Sequence, residues 1–238
     1  MEKTDVIEKL IHFNLTRSEA LVYISLWEHG NMSGYEASKL TGISRSNVYG
    51  ALNGLVYKGA AVITETSTTL YSAVNPEEFL SHKLRHLIKD KQDIVEGMPK
   101  GREELEGYIT IQGSQNIKDK IYQMIHTCDM RLYMAANKGI IEEFYDVLYE
   151  AKKKELKIVL MCDEDYSHLA TKFYKDISEP GQVRLITDSA YVLTGELKER
   201  SSDTCLYSGQ KNLVTIMKEA LRNKIRLLEM EKNNQSMY

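Results

Sequence analysis

ISRSNVYGALNGLVY, Ile43 to Tyr57, is the stretch on which the fold turns. Ser44 reads as an N-cap, because its hydroxyl can accept a backbone N–H left unpaired in the first helical turn. Ile43 and Val48 then stand at N′ and N4, the spacing of a hydrophobic staple. Val48, Ala51, Leu52 and Leu55 recur at helical spacing and predict a buried stripe. Arg45, Ser46, Asn47, Tyr49 and Asn53 are left on the other faces, and side chains of these types hydrogen-bond phosphates and base edges. Gly50 and Gly54 would keep part of that surface low enough for another backbone to approach. The preceding SGYEASKLTG, residues 33–42, predicts a short helix capped by Ser33, with Ala37 and Leu40 inward and Gly42 as its stop. Two capped helices joined by a tight turn form a helix-turn-helix, but the same features fit a helical hairpin in an ordinary core. The flanking sequence decides between them.

Working toward the N-terminus, residues 4–13 predict an amphipathic helix with Val6, Ile7, Leu10 and Ile11 on one side. Thr16 and Glu19 have the spacing of a capping box. The helix they open, Arg17 to His29, carries Ala20, Leu21, Tyr23, Ile24 and Trp27 on its expected inner face and ends at Gly30. Beyond Lys58-Gly59 the period changes to alternation, and AAVIT (60–64) and TLYSAV (69–74) predict two strands joined by ETST (65–68). Four helices and a two-stranded wing make a winged helix-turn-helix.

Here the resemblance is specific. LT-x-x-EA-x-VY at 15–23, the Gly30 stop, GIS-R-x-x-VY at 42–49, L-x-x-KG at 55–59 and Y-x-A-V-x-P at 71–76 resemble the DNA-binding domain of the TrmB family of transcriptional regulators. That resemblance covers about the first third of the chain. It implies sequence-specific binding of double-stranded DNA through the helix that begins at Arg45. The wing tip Glu65-Thr66-Ser67-Thr68 departs from a DNA-reading wing, because it has no Lys or Arg. Residues 1–75 hold six basic and seven acidic side chains, so phosphate neutralisation would rest on Arg17, Lys39, Arg45 and Lys58. The whole chain carries a net charge of −3, which excludes a general nucleic-acid coat protein.

Asn75 and Pro76 open a further helix, Glu77 to about Met98. Leu80, Leu84, Leu87, Lys91, Ile94 and Met98 are spaced 4, 3, 4, 3, 4, an a/d seam with one polar interruption. A dimerising coiled coil is the expectation, with an amphipathic helix lying on its own domain as the alternative. His82, His86 and Asp90 share one face at i, i+4, i+8, a spacing that can hold a metal, against the plainer reading of a solvated helix face. MPKGREE (98–104) breaks the pattern and reads as a linker. The expected domains are a winged unit at 1–75, a dimerising helix and linker at 76–104 and an α/β domain at 105–238.

From Gly107 strands and helices alternate. Strands are expected at 107–113, 130–136, 156–162, 183–187, 191–197 and 203–208. Helices are expected at 114–128, 139–154, 166–177 and 211–232, the first of them capped. The class is α+β in two domains, the second an α/β domain with a mixed sheet. G-Y-I-x-I-x-G at 107–113, A-K-K-K-x-L-K-I-V-L at 151–160 and S-G-Q-K-N-L-V at 208–214 resemble the C-terminal module of TrmB-like proteins, which is related in fold to phospholipase D. That relation raises phosphodiester hydrolysis. The chemistry needs a histidine with a lysine two residues on, and none of the six histidines has one; Thr204-Cys205-Leu206-Tyr207 stands where the motif would fall. No phosphate-binding glycine loop is present. No enzyme activity, cofactor or metal is therefore expected, and His168 with Lys172 reads as a surface pair on a helix.

Cys128, Cys162 and Cys205 are odd in number, form no CxxC and lie in or beside apolar runs, so they read as buried free thiols. The N-terminal MEKTDVIEKL is too charged for a signal peptide and the apolar runs are too short to span a bilayer, so the expected location is cytoplasmic, without a membrane partner. Cys162-Asp163-Glu164-Asp165, Asn137-Lys138 and Asp188 follow strands and could converge on one rim as an effector pocket, against the plainer reading of a solvated loop and a helix cap. Some TrmB relatives sense sugars through a longer C-terminal extension; this sequence stops soon after its last expected helix, so the expected effector is a small molecule of unknown identity and not a sugar. The expectation is a homodimeric DNA-binding regulator, contacting DNA through Arg45, Ser46, Asn47, Tyr49 and Asn53 with Lys39 and Lys58. The rival is a winged-helix adaptor that binds protein.

Overall fold

In this computed structural model residues 2–65, 68–99, 107–176 and 179–235 are described, with side chains to Glu231. The chain divides into two compact units, Met1–Arg102 and Glu103–Tyr238. The 98–104 linker falls mostly, and the wing tip partly, outside the described residues.

The first unit runs α1 (Lys3–His12), α2 (Arg17–His29), α3 (Gly34–Thr41), α4 (Arg45–Tyr57), β1 (Ala61–Glu65), β2 (Thr69–Ala73) and α5 (Pro76–Gly97). The Thr16 hydroxyl accepts the Glu19 N–H at 3.2 Å while the Glu19 carboxylate accepts the Thr16 N–H at 2.6 Å, closing the predicted capping box. Ser33 and Glu36 form a second one. Gly30 and Gly42 end their helices at φ 80° and 71°, where a side chain would be strained. β1 and β2 pair antiparallel from Ala61↔Ala73 to Glu65↔Thr69, and Met32 bridges to Tyr71, tying the wing to the α2–α3 connection.

Three expected positions are corrected here. Trp27 and Leu40 are about half exposed, not inward. α2 is packed by α1, α3, α4 and β2, so its buried arc is set by four neighbours and includes Val22 and Leu26 in place of Trp27. α3 is short and buries only the line Gly34 and Ala37, which Leu40 misses. Ser44 sits at the N-cap of α4 but makes no side-chain capping bond.

The second unit holds β3 (Tyr108–Gln112), α6 (Ser114–His126), β4 (Arg131–Ala136), α7 (Lys138–Glu143), α8 (Tyr145–Lys153), β5 (Lys157–Cys162), β6 (Lys172–Lys175), β7 (Gln182–Thr187), β8 (Tyr191–Glu196), β9 (Thr204–Ser208) and α9 (Lys211–Gln235). Seven strands form one mixed sheet in the order β3-β9-β8-β7-β4-β5-β6; the pairs β4–β5 and β5–β6 are parallel and the rest antiparallel. One face, with Leu132, Met134, Ile158, Leu160, Val183 and Leu185, packs against Ile117 and Ile121 of α6, Ile140 and Ile141 of α7, and Leu148 of α8. The opposite face carries a smaller cluster, in which Ile186 and Val192 meet Val214, Leu213, Met217 and Leu221 of α9.

The expected helix 166–177 is wrong. Ser167–Leu169 is a single 3-10 turn, with the Asp165 carboxylate accepting the Ser167 N–H at 2.8 Å. Thr171 then donates its N–H to the Ile158 carbonyl, and Lys172–Lys175 extends the parallel ladder along β5. An open strand edge satisfies this backbone, and that long-range pairing overrides the helical spacing of Leu169 and Phe173. His168 and Lys172 therefore do not share a helix face; His168 lies beside the rings of Tyr145 and Tyr166. The expected helix 139–154 breaks at Phe144, which lets α7 and α8 both reach the core. α6 begins without a side-chain cap at Gly113, and the Ser114 hydroxyl instead meets the Asp203 carboxylate at 2.8 Å. All three cysteines are buried free thiols, and burial pushes each up to about 11.

Candidate nucleic-acid interface

α4 is held from behind by its own sequence. Val48, Leu52 and Leu55 are wholly buried and Ala51 nearly so, packed among Val22, Tyr23 and Leu26 of α2 and the rest of the first core. Burying such a side chain is worth about 1.5–3 kcal/mol, so this stripe fixes which face of α4 looks outward. That outer face carries Arg45, Ser46, Asn47, Tyr49 and Asn53, all exposed, with Lys39 exposed on α3. The structure thus brings six of the seven predicted contact residues onto adjoining surfaces of α3 and α4.

Two contacts shape this surface. The Arg45 guanidinium lies over the Tyr35 ring, 4.5 Å from its centroid. A cation held on an aromatic face keeps its charge and gains about 0.5–1 kcal/mol at an exposed site. The Tyr49 ring packs against Gly34, where an added Cβ would stand 2.5 Å from a ring carbon. Tyr35 was not among the expected contacts. Its place at the second position of α3, ten residues from Arg45 across the turn, gives no periodic signal.

Lys58 is the seventh, and here the expectation is corrected. Its ammonium bridges the Glu19 carboxylate at 2.7 Å and donates to the Asn14 carbonyl at 2.8 Å, with both charged side chains largely buried. Burial pushes the Glu19 carboxyl up, but the Lys58 ammonium and the Thr16 N–H outweigh it and hold the group below its usual range. One carboxylate therefore caps α2 and anchors the end of α4. Gly54 is explained by the same carboxylate, since an added Cβ would collide with the Glu19 Oε1 oxygen. Its smallness serves this internal contact and not an approaching backbone. Gly50 faces open space. Arg17 pairs with Glu8 at 3.2 Å and Lys3 with Glu28 at 2.8 Å, so Lys9, Lys39 and Arg45 are the cations of residues 2–65 without an acidic partner among the described residues.

α5 is the second feature of this unit. Only Phe79 is buried along its 22 residues. Of the predicted seam, Leu84, Leu87, Ile94 and Met98 are 48–65% exposed, and Ile88 and Val95 beside them are 61% and 67% exposed. His82, His86 and Asp90 are also exposed on it.

The expected effector rim in the second unit forms in part. The Asp163 carboxylate accepts the Lys138 N–H at 2.7 Å, so the loops after the parallel strands β4 and β5 do meet. Asp163 there acts on the start of α7, as Asn137 does in accepting the Ile140 N–H at 3.2 Å. Asp188 does not join them. β7 is antiparallel to β4, so its end lies at the opposite rim of the sheet, where Asp188 accepts the N–H groups of Asp129, Met130 and Arg131. A cavity of about 470 Å³, missed in the sequence, lies between the sheet and α9. No helix among the described residues is long and apolar enough to cross a membrane.

The family model described as "Sugar-specific transcriptional regulator TrmB" matches residues 10–77. Those residues run from the end of α1 to the start of α5 and include the whole surface just described. The HTH-type sugar sensing transcriptional regulator TrmBL1 of Pyrococcus furiosus is 27% identical over 160 residues, 62% of this chain and 47% of that protein. Uncharacterized protein YrhO of Bacillus subtilis is 22% identical over 180 residues, 74% and 66% of the two chains. The chain thus spans about half the length of the first relative. Among solved structures, the archaeal chromatin protein TrmBL2, described as showing a novel mode of DNA binding, aligns over 95% of this chain and 99% of its own at 17% identity and a TM-score of 0.43. Nuc of Salmonella typhimurium, a phospholipase D family member, covers 50% of this chain and 95% of its own at 14% identity and a TM-score of 0.42.

Proposed function

We propose that this chain, whose residues 10–77 match the TrmB family, is a sequence-specific DNA-binding transcriptional regulator that acts as a homodimer and not as an enzyme. The observation that carries the reading is the outer face of α4. It is polar, contiguous and exposed, and its inner face is wholly consumed by the core. In this reading α4 enters the major groove. Arg45, placed by Tyr35, contacts a guanine edge or a phosphate; Ser46, Asn47, Tyr49 and Asn53 read neighbouring positions, and Lys39 meets the backbone. α5 pairs with its copy along Leu84, Leu87, Lys91, Ile94 and Met98, which sets two half-sites about one helical turn apart or a multiple of it. The second unit receives a small-molecule signal and biases the dimer, by no more than that molecule's differential affinity for the two states.

One observation favours a second reading, a winged-helix adaptor that binds protein. Pairing of Lys3, Arg17 and Lys58 leaves residues 2–65 with few cations for phosphates. Salt dependence separates the two. With Lys39 and Arg45 from each protomer as the phosphate contacts, the slope of log K against log salt is about −3 to −4. The test is fluorescence anisotropy of the full chain on DNA from its own upstream region, against a scrambled duplex and against Arg45→Ala. Saturable, salt-sensitive binding that prefers the native duplex and weakens about tenfold in Arg45→Ala is the expected result. No binding to either duplex at low salt would overturn the regulator reading in favour of the adaptor.

A further inference from the structure

The register of the sheet gathers a second set of residues that DNA binding does not use. Tyr133 and Ala135 of β4 stand beside Ile186 and Arg184 of β7, and Ala135 also stands beside Met161 of β5. Cross-strand partners point to the same side of a sheet, so all five lie on the face opposite the main core. α9 is the helix that packs on this face. Its first turns sit down tightly, with Val214 buried and Met217 and Leu221 against the Ile186 and Val192 cluster. Farther along it is held by polar ties, Lys224 to Asp176 at 2.9 Å and the Tyr174 hydroxyl to Glu229 at 2.7 Å. Where these turns give way to the ties, alanines line the space from both sides, Ala135 on β4 and Ala220 on α9. The space that larger side chains would fill is the cavity of about 470 Å³, within the range of small-molecule sites.

We propose that this cavity binds a small organic monocarboxylate with an apolar body. The apolar body would lie on Ala135, Met161 and Ile186 under Met217, and the carboxylate would meet Arg184. Asp176 and Lys224 answer each other's charge, while Arg184 has no carboxylate within 4 Å among the described residues. Its guanidinium donates to Gln182 Oε1 at 2.9 Å, which leaves the rest of its fork of donors for a carboxylate. Glu179, exposed at the mouth, adds a negative charge that disfavours a dianion. The ligand would bridge the sheet and α9, so its binding would stiffen α9 against the strands.

This inference deepens the signal-receiving half of the proposed regulator, and its test needs no DNA. The full chain is titrated by calorimetry with octanoate, 4-phenylbutyrate and indole-3-acetate, and with octanol, 4-phenylbutan-1-ol and indole-3-ethanol as their uncharged counterparts. At least one acid is expected to bind saturably at one site per chain, with its alcohol about tenfold weaker. Arg184→Met, at an exposed position that leaves the fold unchanged by circular dichroism, is expected to reduce the acid to the level of the alcohol. Ala220→Met, which narrows the cavity, is expected to weaken acid and alcohol alike. Absence of binding by all three acids to the wild-type chain overturns the proposal, as does equal binding of acid to wild type and Arg184→Met. A chain that fails to bind DNA yet passes this test would sink the regulator reading and leave the cavity standing.

Discussion

α4 and α5 carry the same kind of apolar stripe and meet opposite fates. Every stripe residue of α4 is consumed within its own unit, against α2 and the wing. α5 buries Phe79, half-buries Leu80, and leaves the rest of its stripe in solvent. The difference teaches that periodicity states which side of a helix is apolar and is silent about what covers it. For α4 the cover is intramolecular, so the opposite face is free to act. For α5 the uncovered stripe is itself the candidate contact.

The largest expected effect is on the consumed stripe. Leu52→Ala should destabilise the first unit by about 3 kcal/mol. Urea unfolding followed through Trp27, the single tryptophan of the chain, measures it. A loss below about 1 kcal/mol would mean that the α4 core is looser than its burial implies. Next comes the uncovered stripe. Leu87→Glu combined with Ile94→Glu should leave the Trp27 transition within about 0.5 kcal/mol of wild type, because both sites are exposed. It should also convert dimer to monomer in sedimentation and cost about a hundredfold in DNA affinity, through loss of the linked second site. A dimer that survives both glutamates would assign dimerisation elsewhere.

The ion pair behind α4 gives a smaller, pH-coded effect. Lys58→Met should cost about 2 kcal/mol near neutral pH, since it leaves the buried Glu19 carboxylate without its cation. Glu19 is held below its usual 4.5, so its ionised form contributes fully above that value, and the contribution is lost as pH falls through the lowered one. Stability of wild type and Lys58→Met should therefore converge toward acid pH, and curves that stay parallel would remove Glu19 as the cause. The smallest difference is expected at the two caps. Thr16→Ala should cost about 1 kcal/mol, while Ser44→Ala, where no capping bond exists, should cost only a few tenths. Equal losses at the two positions would show that Ser44 does cap in solution.

The winged unit was legible because its signals are local. Caps at Thr16 and Ser33, stops at Gly30 and Gly42 and the four-residue α4 stripe each lie within a few residues of what they determine. The misreadings came where distant chain decides. Lys58 looked like a phosphate contact until the fold placed Glu19, 39 residues earlier, against it. Lys172–Lys175 looked helical until β5 offered an edge. Asp188 emerges at the rim opposite Asp163 because strand direction, and not strand existence, fixes where a loop emerges. The cavity under α9 depends on two alanines 85 positions apart in the chain, and no window of sequence contains both.

The pairing of β3 with β9 sets a clock for synthesis. Tyr108 stands opposite Ser208, so the first strand of the sheet must wait for nearly a hundred further residues before its partner leaves the ribosome. The winged unit has no such delay, since long-range ties such as the Tyr23 hydroxyl to the Val74 carbonyl and the Tyr23–Phe79 ring contact are complete long before. A nascent chain would thus carry a finished winged unit ahead of a sheet whose β3 and β8 edges are still open, and a stall in that interval would favour strand exchange between neighbouring chains over correct closure.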